Sequence, residues 1–212
     1  MRRLPVYLVL DCSGSMSGEP IEAVKNGMQM LISALRREPQ ALESAYLSVL
    51  TFDSNARQIV PLTDLATFQL PEIHAAGCTA MGEALALLCD CAKREVVKSM
   101  PDQKGDWRPL VFLMTDGEPT DDLKKGLNTF RTLKWGIVVC CAAGQAANIE
   151  NLKKISPECV VQLDVADSKS LAAFFKWVSD SISTSSKSVN EAKKEVTGLD
   201  QLPPPPPEIT IV

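Results

Sequence analysis

The stretch VYLVLDCSGSMSG, residues 6–18, ends an apolar run in one carboxylate, Asp11, followed by hydroxyls at alternate positions, Ser13 and Ser15, and by Gly14 and Gly18, which let the backbone turn. A second apolar run, residues 110–114, also stops at a carboxylate, in Thr115-Asp116-Gly117. A third patch, AAGCTAMGEAL over residues 75–85, places Thr79 after a glycine and just before a helix-like segment. Alternate residues of an extended segment share a side, so Asp11, Ser13 and Ser15 are expected to face one centre through an extended loop. Two carboxylates and three hydroxyls are hard oxygen donors, a set that suits Mg²⁺ or Mn²⁺ rather than zinc. Mg²⁺ prefers an octahedron of oxygens at about 2.0–2.1 Å and usually retains waters, so hydroxyls can bind directly while carboxylates hold coordinated water. An ion held this way stays electrophilic and attracts a carboxylate from outside. The chemistry implied is capture of an acidic partner without turnover. Each patch alone also reads as ordinary turn or helix-cap residues. Caps alone do not predict carboxylates at both strand ends.

The elements that must position these groups follow from the apolar pattern. Runs rich in β-branched residues at 4–10, 45–52, 108–115, 135–142 and 158–163 alternate with helix-like segments, the signature of βαβ units. Their near-continuous apolarity indicates strands covered on both faces. The fold class expected is α/β: a doubly wound, mostly parallel six-stranded sheet with helices on both faces. Residues 53–63 read as a turn and a short strand paired back on its predecessor, with Pro61 suiting an edge; this is the one antiparallel edge strand expected. Helices are expected from about Glu19-Pro20 to before Pro39, from about Ala80 to Met100, from Thr120 to Asp122 onward, and at about 146–155 and 168–184. The acidic start of the third suits the positive end of its dipole. In such a sheet ligands bind beyond the carboxyl ends of the strands, where strand order reverses. If the strands ending at Asp11 and Thr115 flank that point, both carboxylates reach one crevice.

Composition narrows the partners. The 212 residues suit one domain and a short extension, and the net charge of −4, with no basic cluster longer than a pair, argues against nucleic acid. No apolar stretch approaches the ~18 residues of a membrane span. Arg2-Arg3 before the run 4–10 superficially resembles a targeting signal, but Asp11 stops it early and no small-residue cleavage site follows. The expectation is a soluble, cytoplasmic protein. The seven cysteines form no CxxC pair, and Cys140 and Cys141 lie in an apolar run where cysteine behaves as a small core hydrophobe.

Residues 1–185 are expected to form the domain and 186–212 a flexible Pro-rich tail, because the texture changes to Ser, Lys and Glu and then to QLPPPPPEITIV. Five prolines form an extended polyproline II spacer. Two sharper readings are a ligand for an aromatic groove and a terminal EITIV strand added to an exposed sheet edge.

Enzymatic readings fit less well. A Mg²⁺-dependent phosphotransferase resembling the haloacid dehalogenase group would use Asp11 as nucleophile, but its general acid two residues on is here Ser13. No GxSxG elbow surrounds Ser13 or Ser15, no GxxxxGK is present, and the one histidine, His74, reads as a surface or packing residue.

Asp-Cys-Ser-Gly-Ser at 11–15, Thr79 within GCTAMGEAL and Thr-Asp-Gly at 115–117 resemble, in order, the three parts of the metal-ion-dependent adhesion site of von Willebrand factor type A domains. The resemblance covers roughly residues 4–183. It implies that Ser13, Ser15 and Thr79 are direct or switchable metal ligands, that Asp11 and Asp116 act largely through water, and that a partner's acidic side chain completes the shell. Cys12 is a variation between ligands. Within that family the start MRRLPVYLVLDCSGSM is similar to the TerY proteins of bacterial tellurite-resistance clusters. That likeness implies work beside a protein kinase and a PP2C-type phosphatase in a cytoplasmic stress-response complex, and no extracellular adhesion. The tail lies outside the resemblance.

Overall fold

The computed structural model describes residues 2–212. Seven strands, β1 (Leu4–Asp11), β2 (Ala45–Phe52), β3 (Ala56–Asp64), β4 (Leu110–Thr115), β5 (Val138–Ala143), β6 (Val160–Leu163) and β7 (Thr210–Ile211), form one sheet in the order β3-β2-β1-β4-β5-β6-β7. The inner pairs are parallel, and β3 and β7 run antiparallel to their neighbours. Order reverses at β1, whose flanks are β2 and β4, so the crevice between β1 and β4 is the switch point.

Every residue of β1 is buried, and its pleat feeds two cores. Val6, Leu8 and Leu10 face the layer of α1 (Glu19–Leu35) and α6 (Ser168–Lys187), while Tyr7 and Val9 face that of α3 (Met81–Glu95), α4 (Leu123–Phe130) and α5 (Ile149–Ile155). α1 buries Val24, Met28, Leu31, Ile32 and Leu35 on one face, with Pro20 in its first turn. It sits close on α6 because Gly27 has no side chain: a Cβ there would collide with the Phe175 ring. Between α1 and β2 lies a short helix, α2 (Pro39–Ser44), on which the sequence pattern is silent.

Two expectations are corrected. The sheet has seven strands rather than six, and antiparallel members at both edges rather than one. The second comes from the segment expected to be a flexible tail. Trp177 Nε1 donates to the Pro203 carbonyl at 2.9 Å, Ile209 is buried, and the Val212 amide donates to the Val160 carbonyl at 2.9 Å, which lays Thr210–Ile211 along β6. This is the EITIV reading of the tail, a terminal strand on a sheet edge, although its two residues carry no periodicity of their own. The helix expected to reach Met100 stops at Glu95, and Met100 is exposed in the loop that follows. Among the described residues no helix is long and apolar enough to cross a membrane.

Candidate metal centre

β1 delivers Asp11 at its last residue and β4 delivers Thr115 at its last residue, side by side in parallel register. The Thr115 hydroxyl donates to Asp11 Oδ2 at 2.5 Å and the Ser13 amide donates to Asp11 Oδ1 at 2.7 Å. Both oxygens of this fully buried carboxylate are therefore fixed in direction. The loop beyond does not stay extended as expected. It winds one turn of 3-10 helix over Gly14–Met16, closed by the Met16 amide on the Ser13 carbonyl at 3.0 Å and anchored by the buried Met16 side chain. The turn nevertheless brings Ser13 Oγ to 3.0 Å from Ser15 Oγ, and Ser15 Oγ donates to Asp116 Oδ1 at 2.8 Å. Since Ser15 spends its proton on Asp116, Ser13 is the donor in the first contact.

The loop carrying Thr79 is tied to both neighbours through its backbone. The Ala76 amide donates to the Cys12 carbonyl at 2.8 Å, the Gly14 amide to the Gly77 carbonyl at 3.0 Å, and the Ala80 amide to the Asp53 carbonyl at 2.8 Å. Gly77 adopts φ of +74°, and a Cβ there would collide with Ser54, so only glycine suits this turn. Thr79 is clasped from the other side. Its amide donates to Thr120 Oγ1 at 3.0 Å and its carbonyl accepts from the Thr120 amide at 2.9 Å. A side chain at Gly117 would lie 3.8 Å from Thr79 Oγ1, which places that hydroxyl beside the Asp116-Gly117 turn.

Of the five residues singled out from the sequence, Asp11, Ser13, Ser15 and Asp116 are linked by hydrogen bonds at the switch point and Thr79 lies beside Gly117; Asp11, Ser13 and Thr79 are buried, Asp116 half-buried and Ser15 exposed. Burial raises the carboxyl of Asp11 above its ordinary value, opposed by hydrogen bonds from Ser13 and Thr115, with Asp116 adding repulsion. Burial also raises Asp116, opposed by the Ser15 hydroxyl. Among the described residues no Lys, Arg or His forms an ion pair with either. Two carboxylates desolvated without a counter-cation, with hydroxyls lined up between them, fit a divalent cation. Among the described residues no three His, Cys, Asp or Glu side chains gather as a metal cluster. A metal held here would depend on the hydroxyls.

Sequence reasoning missed Thr115 as the partner of Asp11, and it misassigned Asp121. The acidic residues near 121 were expected to serve the start of their own helix. Asp122 does so, accepting from the Lys125 amide at 3.0 Å. Asp121 instead caps α3, accepting from the amides of Gly82 at 2.9 Å and Glu83 at 2.7 Å. A helix cap supplied by another loop leaves no local spacing to detect. His74 is exposed, as read from the sequence.

The von Willebrand factor type A domain model matches residues 6–177. An uncharacterised protein of Synechocystis sp. is 34% identical over 124 residues, covering 55% of this chain and 26% of that protein. Among solved structures, a von Willebrand factor type A protein from Catenulispora acidiphila superposes with a TM-score of 0.66 at 20% identity, over 86% of this chain and 43% of that one. Proximal thread matrix protein 1 from the mussel byssus, solved with a zinc-occupied MIDAS motif, gives 0.57 at 20% identity over 84% and 45%. The chain therefore spans about a quarter of that Synechocystis relative and less than half of these structural neighbours. The match runs from within β1, past both strand tips and the loop that clasps Thr79, to Trp177 in α6, and the chain belongs to the von Willebrand factor type A domain family.

Proposed function

We propose that this domain is a metal-ion-dependent protein-interaction module and not an enzyme, with Asp11, Ser13, Ser15, Thr79 and Asp116 holding one divalent cation, Mg²⁺ or Mn²⁺. The bound ion supplies Lewis acidity toward an acidic side chain of a partner. The chain's own residues do the rest. Ser13, Ser15 and Thr79 offer neutral oxygens, which leave the site under-neutralised, while Asp116 orients the Ser15 hydroxyl and Asp11 fixes the Ser13 backbone and Thr115. The observation that carries this reading is the line Ser13 to Ser15 to Asp116, ending on a carboxylate that no cation among the described residues neutralises. A nucleophilic role for Asp11 is disfavoured: it is fully buried and both oxygens are engaged by Thr115 and Ser13.

At a finer level, the sequence resemblance supports a place in a cytoplasmic tellurite-resistance or stress-response complex with a protein kinase and a PP2C-type phosphatase as partners, while the net charge and the lack of a long apolar run argue against nucleic acid and membrane. The zinc-occupied neighbour makes zinc a metal to test beside the other two.

Thermal unfolding with Mg²⁺, Mn²⁺ or Zn²⁺ against chelator tests the site. A ligand at a hundred times its Kd stabilises the native state by about 2.7 kcal/mol, a rise of roughly 5–10 °C for a domain of this size. Ser13→Ala and Asp116→Ala are expected to lose that rise while folding normally in chelator. A full metal response in both variants refutes the assignment. The partner level is tested by pull-down with and without chelator from the native host, comparing wild type with Asp11→Ala.

A further inference from the structure

The opposite end of the sheet carries a different surface. Two cavities, of about 410 and 150 Å³, open at the amino ends of β4, β5 and β6 and share Leu133 and Trp135 as common walls. They adjoin across these two side chains as one surface about the length of a six-residue strand, ~20 Å, from the candidate metal centre. Its floor is apolar: Trp135 stacks on Phe130 with ring centroids 4.9 Å apart, and Ile155 and Val96 flank the pair. The indole N–H is spent on the Phe130 carbonyl at 3.0 Å, which fixes the ring as a wall.

The rim is cationic in a chain whose net charge is −4. Arg131 and Lys154 border the larger cavity; Lys93, Lys98 and Lys134 border the smaller; Glu158 is the one acidic side chain lining either. All five cations are exposed. Lys93 and Lys154 also lie in the last turns of α3 and α5, where positive charge suits the dipole. That cannot account for Lys98 and Lys134, which lie in loops beyond the helix ends. Among the described residues Lys98, Lys134, Arg131 and Lys154 form no ion pair with any acidic side chain.

We propose that the groove along Leu133 and Trp135 is a second docking surface, which takes an acidic peptide segment of a partner protein, with a bulky apolar side chain seated on the floor and carboxylates answering the lysine and arginine rim. Charge complementarity selects the acidic segment, and two adjoining pockets with an aromatic wall select the apolar anchor. This surface needs no metal, so the domain would hold two partners at opposite ends of one rigid sheet.

A random dodecapeptide display library selected on the full chain in chelator, where the metal centre is silent, tests the proposal. Recovered peptides are expected to combine Asp or Glu with Leu, Phe or Trp. A labelled recovered peptide should bind at least tenfold more weakly to the exposed-residue variant Lys134→Glu/Lys154→Glu, and more weakly as salt rises. Recovery of no binders, of basic or uncharged peptides, or of peptides indifferent to the charge reversal overturns the proposal. So does displacement of the peptide by poly(U) RNA or by phosphatidylserine vesicles at concentrations below the peptide's own Kd, which would assign the groove to an anionic polymer or a membrane surface instead.

Discussion

At the carboxyl ends of β1 and β4 the polar groups are short, buried and fixed by one another: Thr115 and the Ser13 amide hold Asp11, Ser15 holds Asp116, and Thr120 clasps Thr79. At the amino ends of β4, β5 and β6 the polar groups are long, exposed lysine and arginine side chains around an apolar floor. The difference suits the two ligands proposed. A small cation needs oxygens preset to a few tenths of an ångström, which short side chains on tied loops can supply. A peptide varies in shape, and flexible cations around a hydrophobic pocket tolerate that variation at some entropic cost. Burial raises the carboxyls at the first end.

The two ends share a scaffold, and the largest effect is expected where that sharing is broken. α3 starts at the Thr79 loop and α4 ends at Phe130, and the two cross where Gly126 lies on the Gly82 carbonyl; a Cβ at Gly126 would collide with that backbone. Gly126→Val forces the helices apart, at a cost on the order of 3 kcal/mol. The denaturant midpoint should fall, and metal stabilisation and peptide binding should weaken together. Loss at one end alone would mean that the ends are independently supported.

Asp121→Ala should separate them. It removes the cap that ties the start of α3 to the Asp116 loop, which costs about 1 kcal/mol. Thr79 loses a fixed seat, so metal affinity is expected to fall roughly 10- to 100-fold, the range seen when support behind a metal ligand is removed. The groove should be untouched. Metal titration and peptide anisotropy on the same variant read both ends, and an equal loss at each would return Asp121 to a merely structural role.

How far the sequence revealed this contrast depends on whether the signal was local. Asp11, Ser13 and Ser15 were legible because β1 is a continuous buried run that stops at the first of them, and Asp116 because β4 stops in the same way. The parallel order of the inner strands followed from their apolarity on both faces. Asp121 was not legible, because its capping target lies 39 residues away in α3. β7 was legible only as one of two readings of the tail, the EITIV strand on a sheet edge; that it lies along β6 depends on Ile209 being buried and on Trp177 reaching Pro203. The groove was invisible for a related reason: Lys93, Lys134 and Lys154 are spread over the chain and converge only because three helices end at the same edge.

The smallest effect sharpens the contrast between kinds of carboxylate at the carboxyl end of the sheet. Asp167 follows β6 and caps α6, accepting from the Ser170 amide at 2.8 Å. Its carboxyl is lowered from the ordinary 3.8, chiefly by the Ser170 backbone hydrogen bond, whereas burial raises those of Asp11 and Asp116. A carboxyl lowered in the folded state contributes stability that is present above its unfolded value and is lost as pH falls through the folded value. Asp167→Ala should therefore be less stable than wild type at pH 7, with the gap between them closing as the pH falls below about 4, near the unfolded value. Urea midpoints measured in chelator over that range read the gap, and the metal response at neutral pH should match wild type because Asp167 lies outside the cluster. A gap that stays constant through acidification would mean that the cap acts through its shape and not through its charge.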